Sequence, residues 1–147
     1  MKYLLWLLLS GAVLQQPAPK HLLLDQYQQL LPGALCQDAK VHENDKQAKG
    51  RTTFLDRDFR TEYFAGAKSV RFYECEDRRF HLAMVSLEFN TPRELEMAMG
   101  AITASKRTAF RLPVRTRFVP KRLGNELLII YSETFTDKRF QDLVNEP

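Results

Sequence analysis

The stretch that decides the fold is residues 69–89, SVRFYECEDRRFHLAMVSLEF. Its first arm, Ser69 to Cys75, mixes β-branched and aromatic residues with charged ones, and its second arm, Arg79 to Phe89, is richer still in apolar side chains. Runs of this kind suit a pleated, half-buried surface, and the polar Glu76-Asp77-Arg78 between them marks a reversal, so the stretch is expected to form a β-hairpin. Side chains alternate faces along a strand. In the second arm Phe80, Leu82 and Met84 fall on one face and Ala83, Val85, Leu87 and Phe89 on the other, so neither face suits water. The arm belongs near the centre of a sheet.

Toward the C-terminus, Asn90-Thr91-Pro92-Arg93-Glu94 reads as a helix start. Thr91 is placed to cap the backbone N–H of Glu94, Glu94 to return the bond, and Pro92 to occupy the first helical position, where its missing donor costs nothing. The helix is expected to run to about Lys106, with Leu95, Ala98, Met99 and Ile102 on its buried stripe. Two strands follow, 108–119 and 126–132, joined by a connection over 120–125. In the first, Phe110, Leu112, Val114 and Phe118 alternate with Arg111, Pro113, Arg115 and Arg117, giving one packed and one wet face. A last short helix is expected from Asp137 to about Val144, capped by Thr136, with Phe135 and Phe140 as a hydrophobic staple.

Toward the N-terminus, Thr52-Thr53-Phe54-Leu55 and 59–64 (FRTEYF) read as one or two further strands, and 37–50 as an exposed loop. Before them, Leu23, Tyr27, Leu30 and Leu31 recur at helical spacing up to a stop at Pro32-Gly33, which predicts a short docking helix. The expected architecture is α+β: a mainly antiparallel sheet of about five strands with helices packed on one face.

The chain opens with Lys2, an apolar run through YLLWLLL to Leu14, and the polar Gln15-Gln16-Pro17-Ala18-Pro19. A run of about 12 apolar residues is short for a bilayer-spanning helix, so residues 1–18 read as a secretory signal peptide with an uncertain cleavage site. The remainder, 19–147, is expected to be a single domain, large enough for one core and too small for two. Export places the chain in the periplasm or outside the cell. There, the even count of two cysteines, Cys36 and Cys75, predicts a disulfide between them.

Catalytic patterns are missing from the sequence. No Gly-rich phosphate loop, nucleophile elbow or H-E-x-x-H occurs, and the three histidines are scattered singly, so no enzyme activity, metal site or cofactor is expected. His81 reads as a structural histidine on a buried strand, and Asp56, Asp58 and Glu62, interleaved with Arg57 and Arg60, as a solvated face.

Charge is segregated. The whole chain carries 22 Lys+Arg against 18 Asp+Glu, a net of +4. Removing Lys2 with the leader leaves +3; residues 106–122 hold seven cations and no acid, so the rest carries −4. Arg111, Arg115 and Arg117 on one strand face suit bidentate contact with carboxylates or phosphates. The sequence therefore predicts an exported, non-enzymatic binding protein, such as an inhibitor or immunity protein, that meets an acidic protein surface through this face. An alternative is an envelope structural or lipid-associated module lying against anionic head groups. Nucleic acid is not expected as a partner. Against both stands cross-strand pairing of the arginines with the chain's own Glu74, Glu76, Glu88 or Glu126.

Overall fold

The computed structural model describes residues 21–31, 36, 38–105 and 116–147. Its centre is the expected hairpin, β2 (Ser69–Asp77) and β3 (Phe80–Glu88), which reverses over Arg78-Arg79 in register Asp77↔Phe80. Around it, β1 (Lys40–Glu43), β4 (Arg117–Leu123) and β5 (Glu126–Ser132) complete a five-stranded antiparallel sheet in the order β1-β2-β3-β5-β4. The fold is α+β. The two strands that are apolar on both faces, β3 and β5, lie side by side inside the sheet, and the charged strands β1 and β4 form its edges.

Among the described residues four helices cover the sheet: α1 (Leu22–Gln29), α2 (Lys46–Phe59), α3 (Pro92–Ser105) and α4 (Lys138–Asn145). They were expected on one face. They divide over two, because the alternation in β3 and β5 leaves two apolar faces to be covered. Val85, Leu87, Ile129 and Tyr131 pack with Leu55 of α2 and with Leu95 and Ile102 of α3. Leu82, Met84, Leu128 and Ile130 pack with Leu24 and Tyr27 of α1 and with Phe140 and Leu143 of α4.

The capping box of α3 forms as read, with Glu94 N–H donating to Thr91 Oγ1 at 3.3 Å and Thr91 N–H to Glu94 Oε2 at 3.1 Å. Elsewhere the structure departs from the sequence reading. Residues 52–55 and 59 are helix rather than strand: Asp45 caps α2, accepting from Ala48 N–H at 2.8 Å, and Ala48, Thr52, Leu55 and Phe59 then face the sheet at helical spacing. The segment read as a loop over 37–50 contains β1 and the first turn of α2. In α1 it is Leu24 that joins Leu23 and Tyr27 in the core, while Leu30 stays half exposed. The cap of α4 is Asp137, not Thr136; its Oδ1 accepts from Arg139 N–H at 2.9 Å.

The strand expected over 108–119 lies for the most part outside the described residues. From Arg117 onward it is present and runs further than read, through Pro120, Lys121 and Arg122 to Leu123, so the expected connection is mostly strand. The reversal itself needs only Gly124-Asn125, with Gly124 at φ +57, a backbone conformation that glycine adopts without strain. Pro120 is tolerated because β4 is an edge, where a missing ladder donor can face away from the neighbouring strand.

Candidate functional site

The basic outer strand is the feature that the charge pattern singled out. Arg111 and Arg115 lie outside the described residues; Arg117 opens β4 and is exposed. Register places Arg117 opposite Ser132 and Lys121 opposite Leu128, on the face that carries α4, while Arg122 stands opposite Leu127, on the face that carries α3. Arg117 Nη1 donates to the neutral Gln141 Oε1 at 3.4 Å, and Lys121 Nζ donates to the backbone oxygen of Glu146 at 2.7 Å. Arg122 meets Glu96 at 3.4 Å with both side chains well exposed. An exposed pair of this kind contributes little.

Three of the four glutamates that would neutralise these cations from within are engaged elsewhere. Glu74 lies 3.9 Å from Arg51 and 3.5 Å from His81, and Glu88 is 3.1 Å from Lys68. Glu126 is buried under α1. Among the described residues no carboxylate forms an ion pair with Arg117.

The predicted disulfide is present: Cys36 and Cys75 are joined, with their Cα atoms 5.1 Å apart. It ties the segment that follows α1 to the end of β2, on the face that α1 and α4 cover. Among the described residues no helix is long and apolar enough to cross a membrane, and no cluster of three or more His, Cys, Asp or Glu is placed to hold a metal ion.

A second arrangement escaped the sequence reading. His21, at the N-cap of α1, places Nδ1 2.7 Å from Ser86 Oγ and Nε2 2.8 Å from Ser69 Oγ, and Ser86 Oγ donates to Glu126 Oε1 at 2.7 Å. Glu126 also accepts from the N–H groups of Leu23 at 2.8 Å and Leu24 at 3.1 Å, so a carboxylate sits on the positive end of α1. Serine, histidine and glutamate are the residue types of a hydrolytic triad, but the polarity here is reversed. The serine proton goes to the carboxylate and the imidazole donates to the serine oxygen, whereas nucleophile activation needs the imidazole to accept the serine proton. The group is also sealed, with Ser86 0% and His21 1% exposed. Its chemistry is that of an anchor.

A third polar group lies on the opposite face. Tyr131 is packed against Phe54 and Phe118, and burial pushes its hydroxyl up to about 12 against the pull of nearby Arg51. Among the described residues no hydrogen bond of ordinary geometry reaches Tyr131 Oη or His81 Nδ1. Arg51 approaches this hydroxyl only in poor geometry, and a buried hydroxyl so poorly bonded costs roughly 1–3 kcal/mol. Tyr131→Phe is therefore expected to raise stability by about 1 kcal/mol, read as a higher urea midpoint with an unchanged slope, and a loss of stability would show that the hydroxyl is bonded.

The trace of the buried anchor in the sequence is slight: Ser86 within the apolar run of HLAMVSLEF, and Glu126 directly before LLII. Searches against family models, curated proteins and solved structures find no match for this chain.

Proposed function

We propose that the chain is an exported, non-catalytic binding protein that holds an acidic surface of another protein against its basic outer strand β4. The observation that carries this reading is the charge of exposed Arg117, which no carboxylate among the described residues neutralises. Guanidinium groups on a fixed strand suit carboxylates, which they engage through two parallel bonds. Pro120 and the lysine and arginine beside it blunt the edge against an added strand, so the contact runs through side chains rather than through the backbone ladder. Export is supported by the apolar leader and by the disulfide, a bond that persists in oxidising compartments.

The test compares the mature protein with an Arg117→Glu, Arg122→Glu double variant in affinity capture from envelope extract. Both side chains are exposed, so the variant should fold, with stability changed by no more than about 0.5 kcal/mol per site. The expected result is one stoichiometric protein retained by the wild type and lost from the variant. Capture that is indifferent to the charge reversal overturns the reading, and binding to anionic phospholipid vesicles without a protein partner replaces it with contact to head groups.

A further inference from the structure

The hydrogen bonds beneath α1 form one chain whose direction is fixed from both ends. At one end Ser86 Oγ donates to Glu126 Oε1 at 2.7 Å, so its proton is spent and its oxygen takes the Nδ1–H of His21. At the other end Val70 N–H donates to Asn44 Oδ1 at 2.8 Å, which orients the amide so that Asn44 Nδ2 donates to Ser69 Oγ at 3.3 Å. The Ser69 proton is then left to point at His21 Nε2. With the Ser69 proton so placed, that nitrogen is bare and the ring neutral.

We propose that His21 is a proton-operated latch for α1: while neutral it seats the helix on the sheet, and a proton on Nε2 releases the first turn, with the Cys36–Cys75 bond keeping the freed segment tethered. A protonated Nε2 confronts the Ser69 hydroxyl donor to donor. Ser69 is only 2% exposed, and among the described residues its hydroxyl bonds with His21 and Asn44, so a proton turned away from the ring has no acceptor there. Charges face the ring from every packed element. Arg71 on β2 opposes a second positive charge, although it is bonded to Asp25 of α1 at 2.9 Å and to Glu43 of β1 at 3.1 Å. Glu126 on β5, Glu43 on β1 and Glu88 on β3, the last paired with Lys68, favour the proton. Burial and Arg71 prevail, and the seated imidazole is held below its ordinary value of 6.5.

The sign follows from linkage. A released ring returns to its ordinary value near 6.5 while the seated ring lies lower, so the latch contributes fully above that pH and is lost as pH falls between the two values. Within that window each pH unit raises the release equilibrium about tenfold.

Hydrogen exchange at the amides of Leu23 and Leu24, both bonded to Glu126, reads this directly when corrected for intrinsic exchange and compared with Met84 in β3. Between about pH 7.5 and about pH 5 the two amides should lose protection by about tenfold per unit once inside the window and should stay less protected than Met84, whose exchange requires the central sheet to open. His21→Gln, which keeps one donor and one acceptor but cannot titrate, should remove that slope. Equal protection at both pH values overturns the latch, and so does a slope that survives in His21→Gln, since the proton would then act at a carboxylate. Should the variant fail to fold, the ring resonances of wild-type His21 decide: protonation must coincide with loss of protection at Leu23 and Leu24, and a charged ring under a protected helix overturns the proposal.

Discussion

Glu126→Ala is expected to lower folding stability by about 3–5 kcal/mol, because it removes the acceptor of three buried hydrogen bonds at once and leaves their donors stranded. Leu23 N–H, Leu24 N–H and the Ser86 hydroxyl all converge on this carboxylate at 2.7–3.1 Å. The favourable placement of an anion at the helix N-terminus is lost with it. Against a total stability of about 5–15 kcal/mol for a domain of this size, such a loss leaves little margin. Urea unfolding monitored by far-UV circular dichroism measures it, and a loss below about 1 kcal/mol would mean that water replaces the carboxylate and that α1 is not anchored there.

Replacing Cys36 and Cys75 together by alanine is expected to cost about 4 kcal/mol, the chain-entropy value for a closed loop of about 40 residues. The loop runs from the end of α1 through β1 and α2 into β2, so its closure restricts the unfolded chain over the segment that supplies one edge of the sheet. Most of the effect acts through the unfolded state. The native spectrum should therefore be unchanged while the urea midpoint falls, and reduction of the wild-type protein should reproduce the shift. A double variant as stable as the wild type would show that the bond closes over structure already present in the unfolded ensemble.

What could be read from the sequence was whatever is local. The hairpin of β2 and β3, the capping box at Thr91 and Glu94, and strand β5 each rest on contiguous signals, and each appears where expected. Helix α2 was misread because Thr52-Thr53-Phe54-Leu55 has strand composition, and packing against Phe72 and Val85 overrides a propensity that spans only about 1 kcal/mol. Its true signals were the Asp45 cap and the spacing Ala48, Thr52, Leu55, Phe59, which straddles the segments read as loop and strand. The second layer of helices was missed for a related reason: a strand that is apolar on both faces announces two covers, but does not say which helices supply them. The buried anchor was illegible, since His21, Asn44, Ser69, Ser86 and Glu126 come from five places in the chain and meet only after the sheet has formed. The basic strand was legible as charge; that its would-be partners Glu74, Glu88 and Glu126 are occupied was not.

The same two-faced strands that centre the sheet carry a hazard whenever the chain is not folded. Leu82 to Val85 and Leu127 to Ile130 are wholly buried, uncharged and free of proline, and in the native sheet each is flanked on both sides by another strand. Detached from those neighbours, such segments can stack with identical segments of other chains as readily as with their own partners, the arrangement that seeds cross-β fibrils. Arg78-Arg79 and Glu88 bracket the first of them, and Glu126 and Glu133 the second, as charged gatekeepers that make such stacking costly. Refolding should therefore compete with a second-order process: the yield of native protein falls as chain concentration rises, and removing the exposed brackets Arg78, Arg79 and Glu133 would hurt recovery far more than it hurts the folded state.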